Sequence, residues 1–113
     1  MQIEGYSFGC IKIDSKKYRS DVIVFPEKVR ENWWRKSGHL VVEVDIEEIL
    51  EYKPEVLVIG TGAYGCMKVD ESARNKLELY GIECVIRPTL EAVKEYNRLK
   101  EDKKTVGAFH LTC

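Results

Sequence analysis

Val56-Leu57-Val58-Ile59-Gly60-Thr61-Gly62-Ala63-Tyr64-Gly65 is the stretch on which the fold turns. Four apolar residues in succession, closed by glycine, read as a short strand covered on both faces, and this predicts the centre of a sheet. The next six residues match G-x-G-x-x-G. Glycines at 60, 62 and 65 admit positive φ and close backbone approach, so successive N–H groups can converge on an anion or a carboxylate. A dinucleotide site fits poorly. The following helix is predicted to begin only at Asp70, too late for its dipole to face a phosphate held by the glycines, and Arg87 stands where a ribose-binding acid belongs.

Toward the C-terminus the period switches between helix and strand. Asp70 caps a predicted helix running to Tyr80, with Ala73, Leu77 and Tyr80 on one face and Gly81 as its stop. Ile82 to Ile86 reads as strand, and Pro88-Thr89 opens a helix with Val93, Tyr96 and Leu99 inward. Thr105 to Thr112 reads as a last strand. The half from Val56 is therefore β-α-β-α-β, which predicts parallel strands joined by right-handed crossovers.

Toward the N-terminus, Tyr6 to Ile13 reads as one strand, bulged at Gly9, followed by a polar turn over residues 14–17, Tyr18, and the β-branched run Val22-Ile23-Val24-Phe25 that Pro26 ends. Leu40-Val41-Val42 suggests a further short strand. Asp45, with Glu48 three residues on, predicts the N-cap of a short helix carrying Ile46, Ile49 and Leu50 inward before Pro54. The expected architecture is one compact α/β domain over residues 1–113, an N-terminal antiparallel hairpin layer joined to the β-α-β-α-β half in a mixed sheet with packed helices.

Composition fits a single globular domain. The chain has 113 residues, 44% of them hydrophobic and 33% charged, enough to bury a core without metal or disulfide staples. Lys and Arg number 18 against 19 Asp and Glu, so no net positive field draws nucleic acid or an anionic membrane. No apolar run reaches the roughly twenty residues of a spanning helix, and the first residues do not resemble a signal peptide. The expectation is a cytoplasmic protein. Cys10, Cys66, Cys84 and Cys113 form no C-x-x-C pair, which argues for reduced thiols and against a metal site, and no sequence motif implies a cofactor.

Among candidate residues, Cys66 follows the glycine loop near Lys68, where backbone donors and a cation favour thiolate. It lacks a base in any recognised arrangement, since the two histidines, His39 and His110, are both remote in sequence. His110 shares a strand face with Thr112, whereas Cys113 points the other way; a hydrogen-bonded buried histidine competes with a pocket-lining one. Trp33-Trp34-Arg35 joins residue types enriched at binding hot spots. In an extended segment one ring faces the core and the other faces outward beside Arg35.

Ser7-Phe8-Gly9, the Val22-to-Pro26 strand, Trp34-Arg35, Val58-Ile59-Gly60-Thr61-Gly62, Pro88-Thr89 and His110-Leu111-Thr112-Cys113, taken in order, resemble the Mth-domain family over nearly the whole chain. That family includes archaeal and bacterial proteins of unassigned role, an adipogenesis-associated member and a mitochondrial complex I assembly factor. The resemblance implies a compact α/β fold with a mixed sheet and supplies no catalytic residue. Two functions are therefore expected to compete. One is a non-catalytic binding or assembly module that holds an unknown protein partner through Trp33, Trp34 and Arg35 or through the glycine loop. The other is a binder or enzyme of a small anionic molecule at Gly60, Thr61, Gly62 and Gly65, with Cys66, Lys68, Arg87 and His110 as its polar groups.

Overall fold

A computed structural model describes all residues, 1–113. The strands are β1 (Ile3–Ser7), β2 (Cys10–Ile13), β3 (Lys16–Tyr18), β4 (Val22–Val24), β5 (Val29–Arg30), β6 (Leu40–Val41), β7 (Val56–Thr61), β8 (Lys68–Val69), β9 (Glu83–Arg87) and β10 (Thr105–His110). The helices are α1 (Glu47–Tyr52), α2 (Glu71–Leu79) and α3 (Thr89–Leu99).

The main sheet has five strands in the order β5-β4-β10-β7-β9. Strands β10, β7 and β9 run parallel, while β4 is antiparallel to β10 and β5 to β4. The order corrects one expectation. The unbroken apolar run is indeed buried along all of β7, but the middle position belongs to β10, which is also buried throughout. Both strands satisfy the same pattern, and order within a sheet leaves no local trace in sequence.

Alternation along the strands feeds two cores. Val22, Val24, Val56, Val58 and Phe109 face one side, against α3 and the isoleucines Ile3, Ile11 and Ile13 of β1 and β2. Ile23, Phe25, Leu57, Ile59, Val106 and Ala108 face the other, against α1, α2 and Trp33. Helices α2 and α3 thus cover opposite faces, so the chain leaves β7 in one direction toward β9 and returns past it to β10. The carboxyl ends of β7 and β10 flank the point where that winding reverses, the place where open α/β sheets hold ligands.

The N-terminal antiparallel hairpin layer is present as expected, but its strands are divided differently and it stands apart from the main sheet. Tyr6 to Ile13 is not one strand: the chain turns at Phe8-Gly9, with Gly9 at φ +77°, and β1, β2 and β3 form a separate antiparallel sheet. The irregularity in the β1 ladder falls between Ile3 and Gly5 instead. Only β4 and β5 join the main sheet. Two further corrections concern helices. Asp45 lies in a 3-10 turn (Glu43–Ile46) ahead of α1, and its carboxylate accepts from the Val42 and Lys36 N–H groups at 2.8 and 3.1 Å, fastening the loop and leaving Ile46 as the α1 cap. Tyr80 lies beyond the last turn of α2 and is exposed. The Asp70 cap of α2 and the inward row Val93, Tyr96 and Leu99 of α3 agree with the sequence reading. The parallel pairing of β6 with β8 was not expected. No helix is long and apolar enough to cross a membrane.

Candidate functional site

Register brings together two residues 89 positions apart. Because Phe109 pairs with Val22 in the antiparallel β10–β4 ladder, the end of β10 meets the start of β4, and Asp21 falls beside His110. Asp21 Oδ1 accepts from the Leu111 N–H at 2.8 Å. Its Oδ2 lies 2.7 Å from His110 Nδ1 and accepts from Arg35 Nη2 at 2.7 Å. Burial alone would raise the Asp21 carboxyl, but the hydrogen bonds from His110, Leu111 and Arg35, with the Arg35 charge, hold it below the ordinary aspartate value.

Arg35 is correspondingly locked. Its side chain is 6% exposed, donates from Nε to the Gly38 carbonyl and from Nη1 to the Trp33 carbonyl, and lies 4.7 Å from the Trp33 ring centre. Such stacking suits the weakly hydrated guanidinium. Trp33 is itself buried, its indole N–H donating to the Asp45 carbonyl at 3.0 Å and its backbone N–H to the Asp21 carbonyl at 2.9 Å. With its neighbours fixed inward, Trp34 is held outward at 82% exposure. The expected division of the two rings is observed, but Arg35 corrects the reading: it folds under Trp33 into the protein and does not accompany Trp34 outward.

These residues enclose a cavity of about 360 Å³ whose wall includes Arg19, Asp21, Trp34, Arg35, His39 and His110. Arg19 is exposed and makes no ion pair. The His39 and His110 rings meet edge-on with centres 5.4 Å apart. Larger clefts lie between α1 and Tyr80, about 550 Å³, beside Arg30, about 850 Å³, and between Tyr52 and Tyr96, about 430 Å³. None of them sets a buried histidine on an ion pair, so chemistry, not volume, singles out the smaller cavity.

The glycine loop is occupied by the chain itself. Gly62 N–H donates to Thr89 Oγ1 at 2.8 Å, Ala63 N–H to the Thr112 carbonyl at 2.7 Å, and Cys66 N–H to the Cys113 carbonyl at 3.1 Å. Gly65 N–H closes onto the Gly62 carbonyl at 3.3 Å. Gly62 has φ +104°, and a Cβ there would lie 2.5 Å from the Cys113 oxygen. The close approach that the motif announces is made to residues 112 and 113, and an anion would have to displace them. Thr61 Oγ1 donates to the Arg87 carbonyl; the Arg87 side chain is exposed and bonds the neighbouring Ile86 carbonyl. Gly60 packs under Thr89 and Phe109, while Cys66 and Lys68 are exposed.

The nominated residues thus fall into two groups. Gly60, Thr61, Gly62, Gly65, Cys66 and Arg87 surround the loop and the 112–113 segment, whereas His110 joins Trp33, Trp34 and Arg35. Thr89 ties the groups together, since its hydroxyl accepts from Gly62 and donates to the His110 carbonyl at 2.6 Å. Sequence reasoning missed Asp21, Arg19 and Thr89 as site residues and noted His39 only as a remote base. An acid directly before a strand was the one available signal for Asp21. No cluster of three His, Cys, Asp or Glu side chains is placed to hold a metal ion.

Comparison with known proteins agrees on the fold. Residues 3–111 match the family described as "Protein of unknown function (DUF498/DUF598)". A conserved hypothetical protein, PH1505, from Pyrococcus horikoshii is 28% identical, with TM-score 0.90 and 100% of each chain covered. A protein of Bartonella henselae described as an outer membrane protein is 25% identical, with TM-score 0.83 over 98% of this chain and 94% of that one. A Bordetella pertussis protein described as a Mth938-like domain is 18% identical, with TM-score 0.64 over 97% and 85% of the two chains, in line with the Mth-domain resemblance.

Proposed function

Since that match runs almost from end to end, this chain belongs to the DUF498/DUF598 family, and from that premise we propose that it is a non-catalytic binding module whose site is the cavity beneath Trp34. The observation that carries this reading is the mounting of Trp34: an indole 82% exposed, held by two locked neighbours at the mouth of a cavity floored by a buried ion pair. An exposed aromatic that loses little freedom on contact is the kind of residue that dominates binding energy.

The occupant is an acidic group. Asp21 and Arg35 neutralise each other, which leaves unpaired Arg19 as the cation at the rim beside two imidazoles. The acid belongs either to a small anionic molecule or to a side chain of a partner protein. The near-zero net charge supports neither nucleic acid nor membrane as the partner. The proposed compartment is the cytoplasm, supported by four unpaired thiols. Recovery from the envelope fraction, as the description of the Bartonella relative would suggest, would overturn it.

Native mass spectrometry of gently purified protein separates the two sources. A retained small mass that is absent from the Trp34→Ala and Arg19→Ser variants identifies a small anion. A ligand-free protein that binds acidic peptides, with the same two variants defective, identifies a partner's side chain. Folded variants that keep all binding unchanged would sink the proposal.

A further inference from the structure

His110, which lines the cavity, carries one polar atom without a partner. His110 is 5% exposed, and its Nε2 is buried with no hydrogen bond. Native interiors seldom leave such a group unmatched, and the exceptions mark places where a water or a ligand completes the site.

The remaining contacts define what Nε2 requires. A carboxylate held ionised can only accept, and Asp21 Oδ2 lies 2.7 Å from Nδ1, so the proton of a neutral ring is on Nδ1. The Arg35 contact to Nδ1 is longer, 3.3 Å, and Arg35 already donates to Asp21 at 2.7 Å. Accepting from Arg35 would set the Nδ1 lone pair against the carboxylate. In its neutral form the imidazole therefore presents a lone pair at Nε2, whose complement is a hydroxyl or N–H donor.

Resting on the reading of this cavity as the binding site, we infer that its ligand is a small planar hydroxy acid: the hydroxyl donates to His110 Nε2, the ring stacks on Trp34, and the carboxylate meets Arg19. His39 is the gate to that nitrogen. It is exposed, its ring packs edge-on against His110, and its carbonyl is pinned by the Lys68 N–H at 2.8 Å. Entry of the hydroxyl to Nε2 would require a rotation of the His39 side chain. The Trp33–Arg35 stack beneath stays fixed.

The test titrates the full chain, 15N-labelled, with 4-hydroxybenzoate and with benzoate, following backbone amides and the His110 ring nitrogens. The expected result is that 4-hydroxybenzoate binds at least about tenfold more tightly, because a site built to pair a hydroxyl discriminates against an analogue without one. The Nε2 signal should move with the hydroxy acid and not with benzoate. In His110→Phe the preference should vanish; in His39→Ala it should persist with higher affinity for the hydroxy acid. Should His110→Phe fail to fold, the wild-type ratio and the Nε2 signal decide alone. Equal affinity of the two acids, with shifts confined to residues 19–21, 33–39 and 110–112, overturns the hydroxyl inference and leaves the cavity reading standing. Amides in those segments that respond to neither acid overturn both.

Discussion

The Gly60–Gly65 loop and the Asp21–Arg35–His110 cavity lie at the same end of the same two strands, yet they deal with polar groups in opposite ways. In the loop, the amides of Gly62, Ala63, Gly65 and Cys66 donate to the chain's own carbonyls or to Thr89. In the cavity, charged side chains are paired below an open volume, and one ring nitrogen is left over. The loop carries the recognisable motif; the cavity has none. A glycine fingerprint reports that backbone must pass close to something, and here that something is residues 112 and 113. The unmatched His110 nitrogen depends on tertiary register and leaves no local motif.

The contrast can be broken first at Asp21. Asp21→Ala leaves buried Arg35 without its counter-charge and should destabilise the fold by about 3–5 kcal/mol, read from urea midpoints; a loss below about 1 kcal/mol would mean that the pair is not the floor of the cavity. The same carboxyl sets a pH signature. Its folded pKa is depressed, so its contribution is fully present above the unfolded value of about 4 and disappears as pH falls through the lower, folded value. The stability gap between wild type and Asp21→Asn should therefore be flat near neutrality and close on acidification.

Gly62→Ala tests the loop. A methyl at φ +104°, pressed against the Cys113 carbonyl, should cost about 3 kcal/mol from backbone strain and crowding together. A neutral effect would show that residues 112–113 leave the loop easily, reopening it to an anion. Thr89→Val keeps the shape but strips the hydroxyl shared by Gly62 and His110, and should lose about 1–3 kcal/mol with hydrogen-exchange protection falling at Gly62. The smallest effect belongs to Trp34→Ala: its stability should change by no more than about 0.5 kcal/mol, while binding at the cavity weakens tenfold or more.

Legibility followed the range of the interactions. Strand β7 was visible because four apolar residues in a row need two covered faces, and α3 because Val93, Tyr96 and Leu99 repeat at helical spacing. Trp33 and Trp34 were divided correctly, though not by a strand: Asn32 has φ +56° and the Trp34 N–H turns back onto the Asn32 carbonyl at 2.9 Å. Asp45 misled because its local spacing suits an N-cap, whereas its actual partners include the Lys36 N–H nine residues away. Asp21 was invisible: only the pairing of Val22 with Phe109 gives it a histidine. Arg35 followed from the same register, since the counter-charge that draws it inward is Asp21.

Placing β10 between β4 and β7 also fixes when the molecule can exist. Every other strand precedes it in the chain, so during synthesis β5-β4 and β7-β9 wait as two separate pieces with open inner edges. Unpaired edges of this kind invite pairing with neighbouring chains, and the contacts that relieve them span large sequence separations, which slows folding. The cavity and the filled loop both require residues 110–113, so neither can form on a nascent chain that has not emerged past that point. Any factor that shields the gap between β4 and β7 until then would govern the yield of native protein without touching its final stability.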